Sequence, residues 1–312
     1  MQLTCTSVAL TAQPTYDQPS LDVAVDRLLG PMLAGSNLRT ARVLLKPNLI
    51  TATNGRLACT DSRCIVAAAR WLIDQGARPA VGDSPSFGSA RSVLAAIGAL
   101  PALERLGVLV VEFGRTTETL LPCGVKAALA AEVMECDVLL NLPRAKAHSQ
   151  MRLTLAVKNY FGCLSGFHKP WWHMAHGGAN GRFAALLVDL LAVLPPGGSL
   201  VDGVVAMHVD GPIHGEPYPL GLLAAGVNPV AVDAALLRIL CVDPQLCPLW
   251  RAAHGAGLAG VDAEALQFPL ATPAELAVAD FLVPEQLGPV RFNPFRFVKN
   301  SIKRTWLRVV GA

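Results

Sequence analysis

Acidic residues are missing from one long stretch of this chain. No Asp or Glu falls between positions 141 and 176, yet Arg144, Lys146, His148, Lys158, His168, Lys169, His173 and His176 all do. Charge is scarce everywhere else, with Asp, Glu, Lys and Arg making up only 16% of the 312 residues. So dense a cationic and imidazole-rich segment in so sparsely charged a chain marks a site. Long apolar runs are also missing. The chain is 52% hydrophobic with a mean hydropathy of +0.42, but no window holds the roughly 18 uninterrupted apolar residues of a membrane span. The best candidates, 184–194 and 220–232, are broken by Asp189 and by Asn228-Pro229.

Other absences narrow the class further. The first residues, MQLTCTSVALTAQP, lack the basic region and apolar core of an export signal, so a soluble cytoplasmic protein is expected. A net charge of +3 is too small to make nucleic acid the main partner. The eight cysteines form neither paired C-x-x-C knuckles nor the close triplet of a ferredoxin-type iron–sulfur cluster, so no such intrinsic cluster is expected. They read as small buried hydrophobes in a reducing compartment. Cys59 and Cys64, close to the basic site in the inferred strand order, stay open for metal or redox work.

What is present is an alternation of strand-length apolar runs with helix-length periodic segments. That pattern predicts an α/β fold with a mostly parallel, doubly wound, Rossmann-like sheet, with two lobes and the site between them as one arrangement. Strands are expected at 3–10, 42–45, 79–81, 108–112, 137–142 and 199–201. Helices are expected at 21–33, 61–75, 89–106 with a break at Gly98 or Pro101, 127–134, 183–194 and 230–240. Residues 1–288 form the α/β part, divisible into lobes 1–145 and 146–288, and 255–287 read as peripheral decoration. In a parallel sheet the C-terminal ends of the strands share one rim, where ligands bind. Lys46 and Asn48, Asp83 and Ser84, Arg144, Lys146 and His148, and Asp202 all lie at such ends.

Lysine and arginine supply charge and donors to carboxylate or phosphate groups, and a desolvated lysine can act as a base. Histidine titrates near neutrality or ligates metal. The reading is therefore an enzyme for a small anionic ligand, with Lys46, Lys146 and Lys158 holding it and His148 as acid/base. Asp83 and Asp202 would orient these groups or help bind a metal. Taken singly, each motif has a plain alternative: Lys46-Pro47-Asn48 as a strand exit, and Gly82-Asp83 and Asp202-Gly203 as turns. His168, His173 and His176 are candidate ligands of a divalent metal, though Pro170, Trp171 and Trp172 interrupt any helix there. Trp171 and Trp172 serve equally as a lid or as packing.

The C-terminal segment 289–312 reads as a basic amphipathic helix. Arg291, Arg296, Lys299, Lys303, Arg304 and Arg308 are accompanied by no acid, and Phe295, Val298, Ile302, Trp306 and Val309 recur at helical spacing. Such a helix docks on its own domain, on a protein partner or on an anionic membrane surface. A non-catalytic carrier of a metal or cofactor that docks through this helix is the competing reading of the whole chain.

Several segments in this order resemble the "domain of unknown function 362" family of bacterial and archaeal proteins. They are Leu44-Leu45-Lys46-Pro47-Asn48, Val81-Gly82-Asp83-Ser84-Pro85, Cys136-Asp137-Val138 through Asn141-Leu142-Pro143, and Lys146-x-His148-Ser149. They continue with Leu155-Ala156-Val157-Lys158-Asn159-Tyr160-Phe161-Gly162, Val201-Asp202-Gly203, Gly211-Pro212 and Asn228-Pro229-Val230-Ala231-Val232-Asp233. The resemblance implies an α/β fold, enzymatic or redox-linked activity and a place for Asn159 in the site. Many relatives add ferredoxin-like cysteine motifs, which this chain lacks. The family usually carries Glu and Asn where His208 and Asp210 stand, so His208 joins the candidate metal ligands. More loosely, the layout is similar to the nickel-dependent lactate racemase group.

Overall fold

The computed structural model describes residues 4–53, 56–165, 172 and 181–288. One sheet of ten strands organises them. Its backbone is β1 (Ala9–Ala12), β12 (Leu222–Gly226), β10 (Gly197–His208), β7 (Val138–Leu142), β2 (Arg42–Pro47), β3 (Arg78–Asp83) and β4 (Leu109–Glu112), in that spatial order. The five strands from β10 to β4 are parallel; on the other flank β12 runs antiparallel to β10, and β1 antiparallel to β12. The mostly parallel α/β sheet expected from the alternation is what forms.

Period-two alternation assigns the strand residues to two covered faces. Val43 and Leu45 pack with α1 (Gln18–Leu33) and α2 (Ser62–Asp74), through residues such as Leu28 and Leu72. Leu44 and Leu139 point the other way, into a layer with α7 (Arg182–Leu190) that includes Phe161, Trp172 and Phe183. Trp172 therefore packs. On the antiparallel flank Leu222 and Ala224 meet α8 (Pro229–Ile239). The helix starts follow local chemistry: Asp61 accepts the N–H of Arg63, and Asn228 accepts that of Val230 with Pro229 in the first turn.

Two local expectations are corrected, and one segment left unassigned gains structure. Residues 126–130 form strand β6 (Lys126–Ala130), paired with β5 (Thr116–Leu120), and only α5 (Ala131–Met134) is helical. Alanine-rich sequence favours a helix, but pairing with the Thr-rich neighbour overrides that preference. Asp202-Gly203 is no turn: β10 runs straight through it for twelve residues. Finally, the basic segment opens as two more strands, β8 (Arg144–His148) and β9 (Arg152–Thr154), antiparallel to each other, with β8 parallel to β10. They lead into a single helical turn, α6 (Ala156–Asn159).

Candidate functional site

The parallel register sets the strand ends level. Lys46 lies beside Asn141, and Asp83 beside Glu112. Lys46 is fully buried, and its ammonium pairs with Asp83 at 2.9 Å while also donating to the Pro47 carbonyl at 3.2 Å. Further along the rim, Arg144 pairs with Asp202 at 2.8 Å, and Tyr16 donates to the same carboxylate at 2.7 Å. Burial, with the Asp202 charge behind it, pushes the Tyr16 phenol far above its usual range, so it stays a neutral donor. Each carboxylate thus has its cation, as buried charge requires.

The chain segment that leaves β2 ties these tips together. Leu49 N–H donates to Asp83 at 2.8 Å, and Thr60 Oγ1 bonds the end of β7 through the Leu142 carbonyl at 2.6 Å. Cys59 offers its carbonyl to Arg144 at 3.3 Å, and Asp61 N–H donates to Asp202 at 2.9 Å. The described parts of residues 48–61 therefore form a strap that ties together β3, β7, β8 and β10. An amide network closes the far side. Asn159 donates to Asn141 at 2.7 Å and to the Lys46 carbonyl at 3.3 Å, and Asn141 donates to Ser199 at 3.0 Å.

Lys146 differs from its neighbours. Its side chain is only 1% exposed. It donates to Asn48 Oδ1 and, at 2.7 Å, to the Ala58 carbonyl, both neutral acceptors on the strap. Among the described residues it forms no ion pair with an acid. Burial brings its pKa down to about 7, with the Arg144 and Lys46 charges lowering it further and Cys59 and Asp83 opposing. Two more buried groups are incompletely matched among the described residues: Arg144 Nε and Asn159 Oδ1 lack hydrogen-bond partners.

His148 shares a face of β8 with Arg144 and Lys146, since the three alternate along one strand. Its Nδ1 accepts the N–H groups of Gln150 at 3.0 Å and Met151 at 3.3 Å. In the neutral ring the proton therefore sits on Nε2. Lys158 is buried on α6 with its ammonium 4.6 Å from the Phe161 ring centre and 5.5 Å from that of Phe183. The structure thus brings together Lys46, Asn48, Asp83, Arg144, Lys146, Asn159 and Asp202, with Ser84 directly after β3. His148 stands at the end of the same strand, and Lys158 takes aromatic partners.

His208 packs at a tilt against Tyr218 and Phe281, at centroid distances of 5.0 and 5.8 Å. The candidate metal ligands His168, His173 and His176 and the expected 289–312 helix lie outside the described residues. Among the described residues no three His, Cys, Asp or Glu side chains are grouped to hold a metal ion. Sequence reasoning missed the strap, Tyr16 and Asp233. Asp233 accepts the Ala156 N–H at 2.7 Å and thereby holds the start of α6. Its carboxyl is raised to about 7 by burial, against the backbone bonds that lower it. A capped helix carrying one acid on its inward face was the available signal.

Fold and rim together define an open-sheet α/β protein with a cluster of buried charged side chains at one rim of its sheet. The chain belongs to the "Domain of unknown function (DUF362)" family, whose model matches residues 43–238. It is 39% identical over 308 residues to a thylakoid-associated protein of Synechocystis sp., covering 97% of this chain and 96% of that one. Two solved structures show a weaker likeness. The lactate racemase apoprotein of Thermoanaerobacterium thermosaccharolyticum is 12% identical with a TM-score of 0.45, covering 70% of this chain and 54% of that one. A Thermotoga maritima protein is 10% identical at a TM-score of 0.44, covering 67% and 56%. This chain therefore spans just over half the length of those two structures.

Proposed function

We propose that the protein is an enzyme that binds a small anionic substrate, carboxylate or phosphate, at the strand C-terminal edge and moves a proton with Lys146 and His148. The observation that carries this reading is a fully buried lysine held, among the described residues, by neutral oxygens alone. Burying an ammonium without a counter-ion costs several kcal/mol, and an incoming anion offsets that cost. A lysine that titrates near pH 7 can give or take a proton under ordinary conditions, worth about 10²–10⁴-fold in rate. His148, with its neutral-ring proton on Nε2, supplies a second proton carrier on the same strand face. Lys46, Asn48, Asp83, Ser84, Arg144, Asn159 and Asp202 form the frame, and Lys158 adds positive charge on α6.

The test is hydrogen exchange at carbon. A panel of small carboxylates and phosphate esters is incubated with the protein in heavy water and followed by NMR. The expected result is deuterium incorporation by the native protein, reduced at least about 100-fold in Lys146→Gln and His148→Gln. Exchange that survives intact in both variants, or that never occurs with any member of the panel, removes the acid–base reading.

A second reading concerns location. We propose that the protein associates peripherally with a membrane; the Synechocystis relative is named as thylakoid-associated. No helix among the described residues is long and apolar enough to cross one. The basic residues Arg296, Lys299, Lys303 and Arg304 would meet anionic headgroups, each worth about 1 kcal/mol near the surface. Flotation with anionic liposomes should be lost when these four become Gln. Equal flotation of native and variant protein contradicts it.

A further inference from the structure

The rim's charges can be counted one against another. Three cations, Lys46, Arg144 and Lys146, are buried there with two carboxylates, Asp83 and Asp202. Lys46 is matched by Asp83 and Arg144 by Asp202. The remaining positive charge belongs to Lys146, which uses two of its three N–H donors on Asn48 and Ala58. Two residues away on the same face of β8, Arg144 keeps a buried Nε–H without a hydrogen-bond partner among the described residues. Lys158 sets its charge over two aromatic rings. Arg152 turns its guanidinium to the Leu246, Pro284 and Glu285 carbonyls.

We infer that the ligand of this rim is a monoanion, a carboxylate set between the Lys146 ammonium and the Arg144 Nε–H, and that dianionic phosphate esters are excluded. The inference rests on the anion-site reading above and narrows it to one substrate class. A single negative charge makes the buried rim neutral and supplies acceptors for two unmatched donors. A second negative charge would lie among Asp83 and Asp202 with no further cation of the strand tips or β8 left for it among the described residues, Lys158 being held over its aromatic rings, and uncompensated buried charge is strongly unfavourable. The titratable and charged groups around Lys146 are Cys59, Arg144, Asp83 and Lys46, with His148 further along its strand. Because Lys146 titrates near neutrality, binding of the monoanion should take up a proton and weaken as pH rises.

Calorimetric titration of the full chain with acetate, sulfate and inorganic phosphate in a chloride-free buffer tests this. Acetate should bind at least about tenfold more tightly than sulfate or phosphate, and Lys146→Gln should lose at least about tenfold in acetate affinity. Acetate affinity in the native protein should also fall by about tenfold per pH unit above pH 7, a readout that needs no variant. Sulfate or phosphate binding as tightly as acetate overturns the monoanion assignment while the anion site stands. Acetate affinity independent of pH from about pH 6 to about pH 9 likewise overturns it. Failure of all three anions to bind the native protein removes the anion-site reading itself, and this inference with it.

Discussion

Lys46 and Lys146 are two fully buried lysines on one rim, and their surroundings are opposite. At the tips of β2 and β3, Lys46 has a carboxylate at 2.9 Å, and that carboxylate is further fixed by a backbone N–H from the strap. The Gly162 backbone presses directly on the pair, so that a Cβ there would lie 2.5 Å from Lys46 Nζ and closer still to Asp83. This half of the rim is closed and charge-neutral. At β8, Lys146 meets, among the described residues, the amide oxygen of Asn48 and a main-chain carbonyl. One half of the rim is built to stay as it is, and the other keeps an unanswered charge. The difference separates scaffold from chemistry among residues of the same type.

The contrast can be broken first on its closed side. Asp83→Ala strands Lys46 as an uncompensated buried cation and should cost about 3–5 kcal/mol in a denaturant melt. A loss below about 1 kcal/mol would mean that Lys46 finds water or another partner. Gly162→Ala forces a methyl group against the same pair and should cost about 1–3 kcal/mol, with no compensating shift in reach of two buried side chains.

The open side is sharpened by pH. A lysine with a folded pKa of about 7 binds its proton less readily in the native state than in the unfolded chain. Between about pH 7 and the ordinary lysine value near 10.5, the unfolded state therefore holds more protons, so stability rises with pH by up to about 1.4 kcal/mol per unit. Below pH 7 both states are protonated and the slope from this group vanishes. Subtracting the Lys146→Met stability profile from the native one isolates the effect, and a flat difference would return Lys146 to an ordinary lysine. The smallest effect belongs to the exposed Arg42–Asp137 pair. There Asp137→Ala should cost less than about 1 kcal/mol, since solvent already screens it.

Much of this arrangement was legible in the residues. Alternating apolar runs gave the parallel sheet, and the strand-end rule placed Lys46, Asp83, Arg144, Lys146 and Asp202 on one rim. The interior of the basic segment was not legible, because Arg144, Lys146 and His148 alternate with alanines that look like loop filler. Their strand character comes from pairing with β10, a contact more than fifty residues away in the chain. Asp202-Gly203 has turn composition but lies in a strand for the same reason. The strap was hidden because most of its bonds use main-chain groups of Leu49, Ala58, Cys59 and Asp61, and backbone donors and acceptors leave no trace in side-chain identity. Which lysine lacks a counter-ion is likewise a property of three-dimensional pairing.

The central claim is that Lys146 is a buried lysine whose proton is exchangeable near neutrality. The direct measurement is an NMR titration of the lysine ε-carbon signals in the full chain, with the Lys146 signal identified by its loss in Lys146→Gln. A midpoint near pH 7 is expected for that signal alone. A midpoint near the ordinary lysine value of about 10.4 would contradict the account.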